Sequence, residues 1–318
     1  MTALPEVRTR EGTPRRTARG RLRSERGGQG WYALALLAPS LILVFGVVLY
    51  PLIRTLVLSF SDVNSSLQTT TPFIGVRNYD AIFNDSAFWA TVWRTAFFTV
   101  FSTGLELVVG IAIAQFLNQK IRGQWLFRSA VIVTWALPTI VNANMWRWIL
   151  DGSYGSLNGL LMHLGLIDHY HDWIGGSHQA LIVVALADAW KTTSLVAIIL
   201  FASLQTISPE LYEAAVVDGA GAWRRFTTIT IPLLRPAIAV VLVLRTIEAF
   251  KVFDIIYVMT RGGPASGTTT IAFYTYLQAF SNQRFGIGSA VAYVTVAFIL
   301  ALCLVYMRIL NRTSGPVQ

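Results

Sequence analysis

Six stretches of this 318-residue chain are long and apolar enough to cross a lipid bilayer, and that restricts its fold more than any other feature. A hydrocarbon layer about 30 Å thick takes roughly 20 apolar residues as a helix. It offers no water to an open backbone, so only helices or closed barrels cross it. The stretches lie near Trp31–Leu58, Val92–Leu117, Phe127–Leu150, Gln179–Leu204, Pro236–Met259 and Gly286–Leu310. Ten-residue segments of alternating polarity, which a barrel requires, are absent from the sequence. An all-α membrane protein with six transmembrane helices is expected, and a chain 54% hydrophobic and 13% charged suits it.

The basic residues set the orientation. Eight arginines fall in residues 1–30, a Pro-, Gly- and Arg-rich segment expected to be a disordered cytoplasmic tail. They account for most of the net charge of +9, so nucleic acid is not the implied partner. Lys120, Arg122 and Arg128, then Arg224, Arg225 and Arg235, and finally Arg308 and Arg312 flank alternate turns. The loop Asp151–His178 has three aspartates and no Lys or Arg. The positive-inside rule therefore puts both termini in the cytoplasm and that loop outside. The transmembrane domain is expected over 31–312, with a short cytoplasmic tail at 313–318. The first apolar run is too long for a cleaved secretory signal and is expected to remain. Arginine outnumbers lysine 22 to 3, which points to a high-GC bacterial genome and a bacterial plasma membrane.

Several chemistries are excluded. None of Lys120, Lys191 and Lys251 follows a glycine-rich phosphate loop, so the chain does not bind ATP itself in that way. His163, His169, His171 and His178 cluster in the 151–178 loop without zinc-ligand spacing and read as solvated loop residues. The lone Cys303 has no disulfide partner. No nucleophile and base are placed for catalysis, so neither an enzyme nor a bound metal or cofactor is expected.

Between the fourth and fifth stretches lies "SPELYEAAVVDGAGAWRRFTTITIPLLRP", residues 208–236, on the cytoplasmic side. Ser208 suits a helix N-cap, Pro209 the first helical position and Glu210 the positive end of the dipole. Gly219 can take the positive φ that turns the chain. A second helical piece is expected from Ala222 until Pro232 stops it. Glu213-Ala214-Ala215, then Gly219 after three intervening residues, Ile229 after nine more, and then Ile231-Pro232 resemble the E-A-A-x3-G-x9-I-x-L-P loop of bacterial ABC importer permeases. Asp218, Ala220, Phe226 and Pro236 extend the likeness. "FIGVRNYDAIFNDSAFW", "FKVFDIIYVMTRGGP" and "TTIAFYTYLQAF" are similar to segments of the carbohydrate-importing members. Arg94 departs, standing where relatives more often have Asn.

The resemblance implies the type I importer fold, with this loop as a cytoplasmic coupling helix that docks on an ATPase through Glu213, Ala214, Ala215, Asp218, Gly219 and Ala220. It implies a second homologous permease subunit, two ATP-binding subunits holding ATP and Mg, and an extracytoplasmic sugar-binding lipoprotein that delivers the substrate. The implied cargo is a disaccharide such as trehalose or maltose.

For the substrate pathway, Arg245, Glu248, Lys251 and Asp254 recur every third residue in the fifth stretch. A charge at the centre of a span costs about 2.5–3.5 kcal/mol, so these must pair or line a wet cavity. Tyr257 follows in the same stretch. In the third stretch, Pro138 predicts a kink, and Asn142 and Asn144 are better candidates than Trp146 and Trp148, which suit the membrane interface. Asp188 and Lys191 are secondary candidates, or satisfy one another at i, i+3. The intramembrane charges also fit an alternative, an ion-coupled secondary sugar transporter.

Overall fold

The computed structural model describes residues 31–32, 35–65, 70–119 and 122–313. The basic tail at 1–30, Lys120 and residues 314–318 lie outside them. The described residues are almost entirely helical, and the β structure among them is one isolated bridge, Ser61 to Phe73. The chain divides into two units, one ending at Thr55 and one beginning at Leu56.

The first unit contributes most of α1, Ala35–Ser59, whose 25 residues have a mean hydropathy of 2.4. At 1.5 Å per residue it is long enough to cross hydrocarbon.

In the second unit, a short helix α2, Arg77–Phe83, leads into α3, Ser86–Asn118. Asp85 caps α3 by accepting from the Ala87 amide at 2.9 Å. Helix α3 is 33 residues long and starts six residues before the expected span, because Asp85 supplies the N-cap. Then come α4, Gln124–Ala136, and α5, Thr139–Ile149. These two were expected as one span over Phe127–Leu150 with a kink at Pro138. The kink is there, as a bend of 97°. Pro138 has no amide to continue the ladder and forces Leu137 into an extended conformation, with ψ 130°.

The 151–178 loop contains α6, Ser156–His163. Asn158 is fully buried there, donating to the carbonyls of Asp151 and His171 and accepting from Trp173 Nε1 at 2.9 Å. The Ser153 amide foremost holds the Asp151 carboxyl below the usual carboxylate range, with Tyr154 adding to it. Helix α7, Ser177–Leu204, returns through the bundle and packs along α3. A Cβ on Gly110 of α3 would lie 2.6 Å from Val196 Cγ1 of α7, so only glycine permits this approach.

The remaining elements are α8, Pro209–Val217; α9, Ala222–Arg225; α10, Ile231–Phe250; α11, Asp254–Met259; α12, Ile271–Tyr276; and α13, Phe285–Thr313. Pro232 does not stop the chain as expected. A π-helical turn, Phe226–Thr230, joins α9 to α10, and the Ile231 amide donates to Phe226 O. The widened turn carries the ladder past a residue with no amide. Helices α3, α7 and α10 enclose a core of Ala114, Val196, Leu200, Leu234 and Val241. Among the described residues, five helices are long and apolar enough to span a membrane, and the bent pair α4 and α5 makes a sixth if it is one span.

Candidate functional site

The first site is the loop between α7 and α10. Ser208 Oγ accepts from the Glu210 amide, and Pro209 opens α8. Gly219 ends the turn at φ +77°, as the sequence required. None of the nine residues of α8 is buried, and Val217 is 88% exposed. Glu213, Ala214, Asp218 and Gly219 are exposed, and Ala215 and Ala220 are half-buried. Tyr212 Oη and Thr230 Oγ1 lie 3.0 Å apart and tie α8 to the foot of the fifth span. Helix α9, the π turn and α10 run on without a break from Ala222 to Phe250.

The second site lies among α3, α7, α10 and α11. Arg245 in α10 donates from Nε to Glu106 Oε2 at 2.5 Å, from Nη2 to Glu106 Oε1 at 2.9 Å and from Nη2 to Asp188 Oδ2 at 3.3 Å. It also donates to Glu248 through Nη1. Thr192 Oγ1 adds a bond to Glu106 Oε1 at 2.9 Å. Among the described residues every ion pair includes Arg245. Glu106 is 0% exposed, and the pairing is what makes a carboxylate tolerable there.

Two expectations are corrected. Asp188 and Lys191 do not satisfy one another: Asp188 accepts from Arg245, and Lys191 Nζ donates to Thr139 Oγ1 at 2.8 Å. The four charges of the fifth stretch do not climb a single helix either. Helix α10 stops at Phe250, and α11 begins at Asp254. Lys251 is the C-cap of the first and Asp254 lies in the first turn of the second. Each charge thus sits at the helix end whose dipole favours it.

Around the break, Glu248, Lys251 and Asp254 line one cavity of about 400 Å³ with Asp188, Lys191 and Arg245. Phe253, on its wall, starts an aromatic file. Its ring is 5.4 Å from Tyr257, Tyr257 is 5.7 Å from Tyr276, and Tyr276 is 5.6 Å from Phe280. Asn142 lies apart from this cavity, buried, with Nδ2 donating to Ala187 O of α7 at 3.0 Å and Oδ1 unpartnered. Asn144 borders a separate hollow with Trp148 and Tyr154. Sequence reasoning missed Glu106. A single acid inside an otherwise apolar span was the available signal, since such a residue must have a partner.

Residues 106–314 match the family described as binding-protein-dependent transport system inner membrane component. The chain belongs to that family. It is similar to the trehalose/maltose transport system permease protein MalF of Thermococcus litoralis, 37% identical over 86% of this chain and 92% of that one. It is also similar to the sulfoquinovosyl glycerol transport system permease protein SmoG of Agrobacterium fabrum, 39% identical over 89% and 92%. A solved bacterial ABC transporter involved in the import of the acidic polysaccharide alginate superposes with a TM-score of 0.80, covering 93% of this chain and 100% of that one at 23% identity. The fold is thus that of an ABC importer permease. As a permease of this family the chain is a multi-pass inner-membrane subunit and not an enzyme, and the ion-coupled alternative gives way to it.

Proposed function

We propose that the chain forms half of the membrane pathway of an ATP-driven importer that moves a disaccharide such as trehalose or maltose into the cytoplasm. Its partners in this reading are a second homologous permease, two ATP-binding subunits that hold ATP and Mg, and an extracytoplasmic sugar-binding lipoprotein. Both termini lie in the cytoplasm. Helix α8 docks on an ATPase subunit through Glu213, Ala214, Ala215, Asp218, Gly219 and Ala220. The small side chains admit a close partner, and the exposed Glu213 offers a charge-assisted contact. ATP-driven closure of the ATPase pair then moves the α9–α10 rod as a rigid body.

The observation that carries the reading is the polar cavity at the break in the fifth span, continuous with the aromatic file from Phe253 to Phe280. Sugars need paired hydrogen-bonding groups for hydroxyls and flat apolar faces for rings. Glu248, Lys251 and Asp254 supply the first and Tyr257 the second. Asn144 offers a further polar contact at the separate hollow it shares with Trp148, and Asn142 holds α5 against α7.

The test is uptake by the complete transporter in vesicles. Labelled trehalose or maltose should enter only with the binding protein outside and ATP inside. Asp254→Ala should lower uptake at least tenfold with the complex intact. Uptake driven by a proton gradient without ATP would sink the importer reading. Unchanged uptake in Asp254→Ala would remove the cavity from the pathway, and ATP-driven uptake of neither sugar would overturn the cargo alone.

A further inference from the structure

Arg94 is the one charge in the outer half of α3, and neither site above uses it. It is half-buried, and among the described residues it has no hydrogen-bond or ion-pair partner. It lines a cavity of about 670 Å³ between α3, α7 and the 265–267 loop. The cavity is built rather than incidental. Ser177 Oγ donates to Pro264 O at 3.2 Å, and a Cβ on Gly267 would meet the Ser177 Cβ at 2.5 Å, so the loop is seated on the first turn of α7.

Depth decides what the cavity faces. Helix α3 has 33 residues, about 50 Å, against about 30 Å of hydrocarbon, which leaves roughly 10 Å at each end. Arg94 is eight residues, about 12 Å, from the start of the helix, at the boundary between hydrocarbon and headgroups. Trp89 and Trp93 are exposed on the turn that leads up to Arg94, as interfacial tryptophans are. The cavity also has two ends of different character. Arg94 and, at the start of α7, Ser177 and His178 give it hydrogen-bond donors and the Arg94 charge, while Phe97, Leu181 and Ile182, one turn further along the same two helices, are apolar.

We infer that this cavity is a binding site for a phospholipid, with the headgroup phosphate on Arg94 and His178 and an acyl chain along Phe97, Leu181 and Ile182. An arginine fork matches phosphate geometry, the positive end of the α7 dipole favours an anion, and the apolar end has no use for a free ion. The inference rests on membrane insertion and is independent of the sugar and of the orientation.

The test uses the full-length chain in the transporter complex with which it purifies, in detergent, by native mass spectrometry. The probes are dioleoylphosphatidylglycerol, dioleoylglycerol and inorganic phosphate. The phospholipid should bind the wild type at least tenfold more tightly than Arg94→Gln, the size of one lost charge-assisted contact. Arg94→Lys should recover part of that. Dioleoylglycerol should not distinguish the variants, and millimolar phosphate should not displace the phospholipid. Should Arg94→Gln fail to assemble, His178→Ala takes its place, with an expected loss of about threefold from a weaker contact. Equal retention by wild type and variant overturns the inference. Displacement by free phosphate replaces it with a soluble-anion site. Loss of the second permease subunit from Arg94→Gln with lipid retention unchanged replaces it with a subunit contact.

Discussion

At the scale of single residues, the molecule depends on Arg245. Its side chain is 4% exposed and holds Glu106, Asp188 and Glu248, carried on three different helices. Removing one partner of a buried pair leaves the other charged and unmatched, at a cost of about 3–5 kcal/mol. Arg245→Met should therefore lower the thermal midpoint of the purified complex markedly. Glu106→Gln should lower it less, because an amide oxygen still accepts from Arg245 and Thr192. An Arg245→Met complex that melts with the wild type would show that the cluster does not hold the bundle. The sequence made Arg245 conspicuous as a charge in an apolar stretch. Its main partner lies 139 residues away, and no local spacing rule reaches that far.

At the scale of elements, local rules read α8 and its closing turn well and the spans unevenly. Ser208, Pro209 and Gly219 take the positions their backbone chemistry dictates. Gly219→Pro should abolish the turn, since φ +77° is closed to proline and the Gly219 amide that donates to Val216 O at 3.0 Å would be lost. The expected outcome is loss of the ATPase subunits on purification. The cost to the chain is a turn's worth, about 1–3 kcal/mol. A Gly219→Pro transporter with normal ATPase content and uptake would end the coupling role of α8. The prolines were read unevenly, since Pro138 gives the kink expected of it, a bend of 97°, and Pro232 does not give the expected stop. The residue type is the same in both. The difference lies in the neighbouring turn, where π-helical slack before Pro232 removes the need for its amide.

At the scale of the whole molecule, the orientation gives a further prediction. With Cys303 replaced by alanine, a Tyr154→Cys variant should react with a membrane-impermeant maleimide in intact cells, and a Val217→Cys variant only after permeabilisation. Both positions are exposed, so access to the reagent and not burial decides the outcome. Labelling in the reverse order would invert the topology and remove α8 from the ATPase side. That the chain is helical and membrane-embedded follows from its residues alone, and so does the position of the loop that resembles the importer permeases. Hydrocarbon leaves few backbone solutions, and that loop is defined by short-range spacing. Which charges share a cavity depends on how the helices pack. Glu106 reaches Arg245 because α3 and α10 pack together, and Lys251 and Asp254 separate from the ladder because the helix between them ends. Pairing of buried charges is settled by which helix faces meet, and the order of residues along one chain does not contain that information.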